Sequence, residues 1–258
     1  MEKSLVGKNA VVTGGSRGIG AAIAIELARR GASVLITYVS SSKAAESIAR
    51  EIKSQSSDVD GFAMQADSSK SMEAAVSIAA GCRKRFPDGV DIIVNNAAHG
   101  SDVDLKDLTL QNFDTTFHTN LLFPLLLVQQ LRSQLGRQAR IVNISSTSAR
   151  RGFPSAITYA ASKAALESVT KSLAKELGRE LDCTVNAVNP GPVNTDMWKE
   201  TEGLEMDDVT HRIVSETAAA GRIGETSDIA PIVAFLCEEQ SRWITGSVVC
   251  ANGGLVMV

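Results

Sequence analysis

Tyr159 and Lys163 stand four residues apart in the segment Thr158-Tyr-Ala-Ala-Ser-Lys-Ala-Ala. On a helix this spacing puts both side chains on one face. An ammonium group beside a phenol favours the phenolate, because a nearby opposite charge stabilises the ionised form. A phenol with a reference pKa of about 10 can then exchange a proton near neutrality, which is general acid–base chemistry. The chain has only two tyrosines. A Tyr-x-x-x-Lys pair by itself also arises as an incidental surface pair, so its meaning depends on what surrounds it. Ser146 lies thirteen residues before Tyr159, at the end of the apolar run Ala139-Arg-Ile-Val-Asn-Ile-Ser-Ser.

The elements that must position these groups are legible as an alternation. Val11-Val12, Val34-Leu35-Ile36, Gly61-Phe62-Ala63-Met64, Ile92-Ile93-Val94, Ile141-Val142-Asn143-Ile144, Val185-Asn186-Ala187-Val188 and Val248-Val249 read as buried strands. Short apolar runs bounded by turn residues, with little polar alternation, fit a parallel sheet covered on both faces. Amphipathic segments near 18–30, 43–56, 70–85, 111–135, 157–181 and 226–239 fall between them. The pattern predicts an α/β chain with right-handed crossovers: one Rossmann-type domain over 1–258, a doubly wound seven-stranded parallel sheet with helices on both faces. Residues 191–222 break the rhythm with Pro192, Gly203, acidic residues and the amphipathic stretch Val209 to Val214. A long excursion of this kind is usually a lid or a binding loop.

Whole-chain properties narrow the classes. A length of 258 residues suits one large domain, and 44% apolar with 21% charged residues is ordinary for a globule. The net charge of −3 argues against a nucleic-acid partner. The longest apolar run, Leu121 to Val128, contains Pro124 and is too short to cross a bilayer. No signal peptide precedes the first strand, so a cytoplasmic location is expected. Cys82, Cys183, Cys237 and Cys250 are scattered, and His99, His118 and His211 form no cluster, so structural thiols and no metal are expected.

Near the N-terminus, Ala10-Val-Val-Thr-Gly-Gly-Ser-Arg-Gly-Ile-Gly is a strand breaking into glycines and then into a helix. Asn95-Asn96-Ala97 follows another strand, and Asn120 sits in His118-Thr-Asn-Leu. Together with Ser146, Tyr159 and Lys163 in this order, these motifs resemble the short-chain dehydrogenase/reductase superfamily, in its branch with a Thr-Gly-x-x-x-Gly-x-Gly fingerprint. The resemblance runs from about residue 5 to the end.

Gly14, Gly18 and Gly20 permit a tight turn and let backbone approach a pyrophosphate, while the following helix offers amide donors. Ser16 and Ile19 belong to the same turn. NAD-binding folds place an acid at the end of the second strand to hold the ribose hydroxyls. Here that position is Tyr38, followed by Ser40 and Ser41, with no carboxylate to repel a phosphate. Arg17 can offer a guanidinium fork, so the expected cofactor is NADP(H); the alternative is that Arg17 is a solvated loop residue. The resemblance further implies that Asp67 contacts the adenine ring. It also has Asn95 tie the central strands and line the adenosine site beside Ala97. Asn189-Pro190-Gly191 would face the nicotinamide carboxamide, bordered by Val193 and Thr195. Where the family usually reads Asn-Asn-Ala-Gly, this chain has Ala98 and then His99.

The chemistry that fits is hydride transfer between nicotinamide and a ketone or secondary alcohol. In reduction Ser146 would hold the carbonyl oxygen and Tyr159 would donate the proton. Lys163 would lower the Tyr159 pKa and bond the nicotinamide ribose, Tyr159 and Lys163 would both border the cofactor, and by resemblance Asn120 would position a water linking Lys163 to solvent. Singly, Ser146 could merely end a strand and Asn120 could cap or kink its helix. The substrate pocket is expected to include His99, Ser146, Thr147, Phe153, Met197 and Trp198. The adjacent Arg150 and Arg151 offer a place for an anionic or polyphenolic substrate, or else a solvated surface. The pattern resembles 3-oxoacyl-carrier-protein reductases and polyhydroxynaphthalene-type ketoreductases, implying a small-molecule carbonyl or alcohol substrate that a carrier protein could hold. A non-redox cyclase or isomerase and an NADPH-binding scaffold are the competing classes. The superfamily commonly pairs the helices near 111–135 and 157–181, and builds tetramers through the region near Trp243 and Val248. A homotetramer, or a homodimer, is therefore expected.

Overall fold

In the computed structural model, residues 3–100, 103–201 and 206–257 are described. Seven strands form one parallel sheet in the order β3-β2-β1-β4-β5-β6-β7. They are β1 (Asn9–Val12), β2 (Ser33–Tyr38), β3 (Gly61–Gln65), β4 (Val90–Asn95), β5 (Leu135–Ile144), β6 (Thr184–Pro190) and β7 (Val248–Ala251). The helices are α1 (Gly18–Arg29), α2 (Ser42–Ser54), α3 (Ser71–Arg85), α4 (Leu110–Phe117), α5 (Phe123–Leu131), α6 (Ile157–Leu181), α7 (Asp196–Thr201), α8 (Met206–Glu216) and α9 (Thr226–Leu236).

Strand residues alternate between two cores. Val12, Val34 and Ile36 point to one face, where Ile23 and Leu27 of α1, Ile52 of α2 and Val233 of α9 cover them. Val11, Leu35 and Ile93 point to the other, against Ile78 of α3, Leu127 of α5 and Leu177 of α6. Each fully buried aliphatic side chain contributes about 1.5–3 kcal/mol, and burial on both faces is why the strands read as continuous apolar runs. The sheet order reverses direction between β1 and β4, and ligands of doubly wound sheets bind in the crevice that opens there, beyond the carboxyl ends of the strands.

The helix anticipated over 111–135 is not continuous. Thr109 caps α4 by accepting a hydrogen bond from the Asn112 amide, the α-helical pattern stops at Phe117, and His118–Leu122 forms one π turn before α5 resumes. Pro124 has no N–H to give to the carbonyl of Asn120, four residues back, so an unbroken α ladder is impossible there. The Phe123 amide instead reaches the His118 carbonyl, five residues back. The segment then ends at Leu131, and β5 begins at Leu135, earlier than its apolar core 141–144 announces. The irregular excursion after β6 contains two helices, α7 and α8; Gly203, which falls within it, lies outside the described residues.

Candidate active site

The glycine turn is held from two sides, by Thr37 of β2 and by the segment Asn96-Ala97 after β4. The Gly14 amide donates to Thr37 Oγ1, and the Gly15 amide to the Thr37 carbonyl. Asn96 Nδ2 donates to the carbonyls of Thr13 and Gly14, at 2.9 and 3.1 Å. Thr13 Oγ1 accepts from the amides of Asn96 and Ala97. These contacts press the turn onto the end of β4 so tightly that side chains are excluded. A Cβ on Gly20 would lie 2.3 Å from the Gly14 carbonyl oxygen, and one on Gly14 would lie 3.0 Å from Ala97 Cα. Gly14 and Gly18 also have φ of +64° and +57°, which glycine adopts at no steric cost. Ser16 and Ile19 are half-buried beside them. Arg17, the N-cap of α1, makes no side-chain bond to the first helical turn, which is left to the helix dipole and its amides. The donor set is therefore suited to a phosphate.

Tyr38 ends β2 half-buried, and Ser40 and Ser41 are exposed between β2 and α2. Asp67, just past β3, accepts at Oδ1 from the amide and hydroxyl of Ser69 (3.0 and 2.7 Å), which fixes the turn into α3. A groove of about 340 Å³ runs beside it, lined by Val39, Gln65, Asp67 and Lys70. Arg17 approaches Asp196, the first residue of α7, at 3.7 Å, with both side chains 61% exposed. Such a pair is weak.

Asn95 Nδ2 donates to Asn143 Oδ1 at 2.8 Å across β4 and β5, and Asn143 passes the chain on to Thr170 of α6. The sequence expectation that Asn95 ties the central strands corresponds to this bond. Ala97 and His99 follow on the loop after β4, half-buried.

On α6, Tyr159 is half-buried near the N-terminal end, whereas Lys163, one turn later, is 2% exposed. Lys163 Nζ lies 5.7 Å from the Tyr159 ring centroid and donates to the Ile144 carbonyl at 2.7 Å. That carbonyl closes β5, two residues before Ser146. Burial pulls the Lys163 ammonium down to a pKa of about 8, because desolvation disfavours the charged form. Ser146 Oγ accepts from the Ser148 amide and caps the short turn Thr147–Ala149; Thr147 is buried and Phe153 half-buried.

Asn120, in the π turn, is fully buried. Its Oδ1 accepts from the His99 amide at 2.7 Å, and its Nδ2 donates to the His99 carbonyl and to Ser162 Oγ, both at 3.0 Å. A π turn frequently marks a functional position. Here it aims one amide at both the loop after β4 and the helix that carries Tyr159 and Lys163.

After β6, Pro190 is buried and Gly191 sits against Asn252, where a Cβ would meet side-chain carbon at 3.2 Å. Val193 is buried and bridges to Gly224. Thr195 caps the entry to α7, accepting from the Trp198 amide, and its methyl group faces Gly18. Met197 is 45% exposed, with its sulfur towards Gly100, so α7 faces the loop after β4. The structure thus gathers the expected residues at the carboxyl ends of β1, β2, β3, β4, β5 and β6.

Arg150 and Arg151 are already engaged within the chain. Arg150 Nε donates to Glu167 at 2.9 Å. Arg151 pairs with Glu216 at the end of α8 and lies over the Phe153 ring at 5.5 Å. Each guanidinium therefore meets an acid of this chain while remaining partly open to solvent. Sequence reasoning missed Glu167 and the bracing bonds of Thr13 and Asn96, and gave Asn189 only a place in the turn facing the carboxamide; the signal for Glu167 was its place eight residues after Tyr159, on the same helical face. Cys82, Cys183 and Cys237 are buried thiols, each pushed up to about 12 by desolvation. Among the described residues, no helix is long and apolar enough to cross a membrane.

Residues 14–256 match the family model described as Enoyl-(Acyl carrier protein) reductase. The chain belongs to the short-chain dehydrogenase/reductase superfamily. It is 50% identical to the short-chain dehydrogenase/reductase FrzI of a Cladobotryum species, over 99% of this chain and 98% of that one. It is 35% identical to the hydroxynaphthalene reductase arp2 of Aspergillus fumigatus, over 94% and 90% of the two chains. Among solved structures, a blue fluorescent protein from a metagenomic library in complex with NADPH superposes with a TM-score of 0.90. It is 35% identical, with 98% of this chain and 100% of that one covered. Membership makes this chain an oxidoreductase of a nicotinamide-dependent superfamily acting on CH–OH and C=O groups of small molecules.

Proposed function

We propose that the chain is an NADPH-dependent ketoreductase with Tyr159 as the proton donor. The observation that carries the reading is the buried Lys163, hydrogen-bonded to the carboxyl end of β5 and set beneath the Tyr159 ring. When bound, the nicotinamide supplies the hydride. The chain's own residues do the rest. Gly14, Ser16, Gly18, Ile19 and Gly20 receive the pyrophosphate against the start of α1. Asp67 and the groove beside it receive the adenine, and Asn95 and Ala97 border the adenosine. Pro190, Gly191, Val193 and Thr195 hold the carboxamide side. Ser146 holds the carbonyl oxygen, Tyr159 delivers the proton to it, and Asn120 anchors the loop carrying His99 while facing the helix of Lys163. His99, Thr147, Phe153, Met197 and Trp198 shape the substrate pocket.

The substrate is proposed to be a ketone of an acyl, polyketide or specialised-metabolite compound. The hydroxynaphthalene reductase named above supports the polyketide arm. The description of the family model names enoyl reduction on a carrier protein, which an assay separates directly. Purified protein should oxidise NADPH in the presence of cyclic and aromatic-fused ketones and yield the secondary alcohol, not the saturated ketone of an added enone. Arg17, Ser40 and Ser41 should prefer the 2′-phosphate through charge-assisted bonds worth roughly 1.5–3 kcal/mol when shielded. Discounting for the exposure of Arg17, NADPH should bind about tenfold tighter than NADH. Tighter binding of NADH, or no alcohol from any ketone tried, would refute this reading.

Assembly is proposed on the exposed apolar residues. Leu110, Phe113 and Ile157 are 76%, 41% and 46% exposed on α4 and α6, and Phe113 stacks on Phe117 at 4.3 Å. Trp243, in the segment leading to β7, is 95% exposed. The helical patch and this exposed indole at a second place on the protomer fit two isologous interfaces and a homotetramer. Light scattering at micromolar concentration should give four protomers, or two if only the helical patch is used; a monomeric mass would contradict the proposal.

A further inference from the structure

Glu167 lies on α6, one turn beyond Lys163 and two beyond Tyr159, and is only 6% exposed. A buried carboxylate is costly unless its oxygens are fully engaged. Those of Glu167 are engaged by three different pieces of chain. Oε1 accepts from Ser145 Oγ at 2.8 Å and from Asn189 Nδ2 at 3.0 Å, and Oε2 accepts from Arg150 Nε at 2.9 Å. Ser145 immediately precedes Ser146. Arg150 closes the turn that Ser146 caps. Asn189 immediately precedes Pro190-Gly191, and its Nδ2 also donates to the Ser146 carbonyl at 2.6 Å.

One carboxylate therefore joins the helix that carries Tyr159 to both sides of Ser146 and to the turn after β6. We propose that Glu167 is a positioning residue that fixes Ser146 and the Pro190-Gly191 turn in register with Tyr159 and Lys163. This rests on the ketoreductase reading above. Arg150 balances the buried charge through its Nε, with its side chain 24% exposed. Glu167 acts through Ser145, Asn189 and Arg150, by holding the segments that carry Ser146 and the Pro190-Gly191 turn. Its loss should appear as lost turnover, because small misplacements of a carbonyl-holding group are felt mainly in the transition state.

Glu167→Gln and Glu167→Ala test it, with Arg150→Met alongside. Gln keeps an acceptor for Ser145 and Asn189 but presents an N–H to the Arg150 N–H, so one arm of the clamp fails. Ala removes all three arms. Expected are a kcat lower by about tenfold in Glu167→Gln and about a hundredfold in Glu167→Ala, with the substrate KM within about threefold of wild type. Arg150→Met should resemble Glu167→Gln. Amide hydrogen exchange supplies a readout independent of turnover: residues 145–151 and 189–193 should lose protection in both Glu167 variants, while β1 and α1 stay as protected as in wild type. A kcat within twofold of wild type in a Glu167→Ala protein that folds would overturn the proposal, as would unchanged exchange at both segments. If Glu167→Ala does not fold, Glu167→Gln carries the same two criteria. If wild type reduces no ketone, the ketoreductase reading fails on its own, and the exchange comparison still decides whether the clamp exists.

Discussion

Tyr159→Phe is expected to lower ketone reduction by about a thousandfold, within the roughly 10²–10⁴ range of positioned proton transfer. The substitution removes one hydroxyl from a half-buried side chain near the start of α6 and leaves the ring over Lys163 in place. Packing changes little, so the melting temperature should stay within a few degrees of wild type. NADPH affinity should also stay within about twofold, because the turn that receives the pyrophosphate is built from β1, α1 and the Asn96 amide, and the phenol acts mainly in the transition state. An interaction made only in the transition state reduces kcat and kcat/KM together. Ser146→Ala should act in the same direction, since the hydroxyl holds the oxygen that receives the proton. Steady-state kinetics with the best ketone of the panel, and titration of NADPH by its fluorescence, check both halves. A Tyr159→Phe protein with most of the wild-type turnover would remove Tyr159 from the chemistry and leave a cofactor-binding scaffold or a non-redox enzyme as the better account.

The sheet and the gathering of residues at its carboxyl edge were legible because buried parallel strands and glycine turns are local signals. Val34-Leu35-Ile36, short, rich in β-branched residues and bounded by Gly31 and Ser40, favours a strand covered on both faces. Gly14 and Gly20 have to be glycine because the backbone of one approaches Ala97 and the other would strike the Gly14 carbonyl. The π turn at Asn120 was not legible. Leu121 to Val128 reads as one apolar helix face, and the effect of Pro124 on the carbonyl of Asn120 shows only when the ladder is traced. The start of β5 was hidden for a related reason: Leu135 to Gln138 is polar enough to pass for the end of a helix. Glu167 was hidden more deeply. An acid on a long helix ordinarily faces water, and its three partners come from residues 145, 150 and 189, which only the fold brings together. The ion pairs of Arg150 and Arg151 were hidden for the same reason, since their acids lie 17 and 65 residues away.

Lys163 carries the second large effect, and it can be read in stability as well as in rate. Its ammonium is 2% exposed and is held by the Ile144 carbonyl, with a folded pKa of about 8 against an ordinary 10.5. A lysine whose pKa is depressed by folding binds its proton more weakly in the folded state. Below pH 8 both states keep the proton, and the cost of burying the charge is fully present. Between pH 8 and 10.5 the unfolded state binds more protons than the folded one, so this group's contribution to stability rises with pH. Above 10.5 both states are neutral and the contribution is flat again. Across the window the change amounts to about 3 kcal/mol, at 1.36 kcal/mol per pKa unit. Lys163→Met removes the titration while filling the same space. Urea unfolding of both proteins at matched concentration, stepped from pH 7 to 10.5, should show wild type gaining on the variant as pH rises. The gain should be confined to the upper part of that range. A stability difference that does not change with pH would mean that the ammonium is not desolvated in the folded protein. In kinetics the same variant should lose about a hundredfold or more in kcat and bind NADPH more weakly. Tyr159→Phe should differ from it by keeping the cofactor affinity. Lys163 is expected to serve both the phenol and the nicotinamide ribose, whereas the phenol, though it borders the cofactor, acts mainly on the substrate oxygen in the transition state. Equal cofactor affinity in the two variants would restrict Lys163 to the proton-transfer role alone.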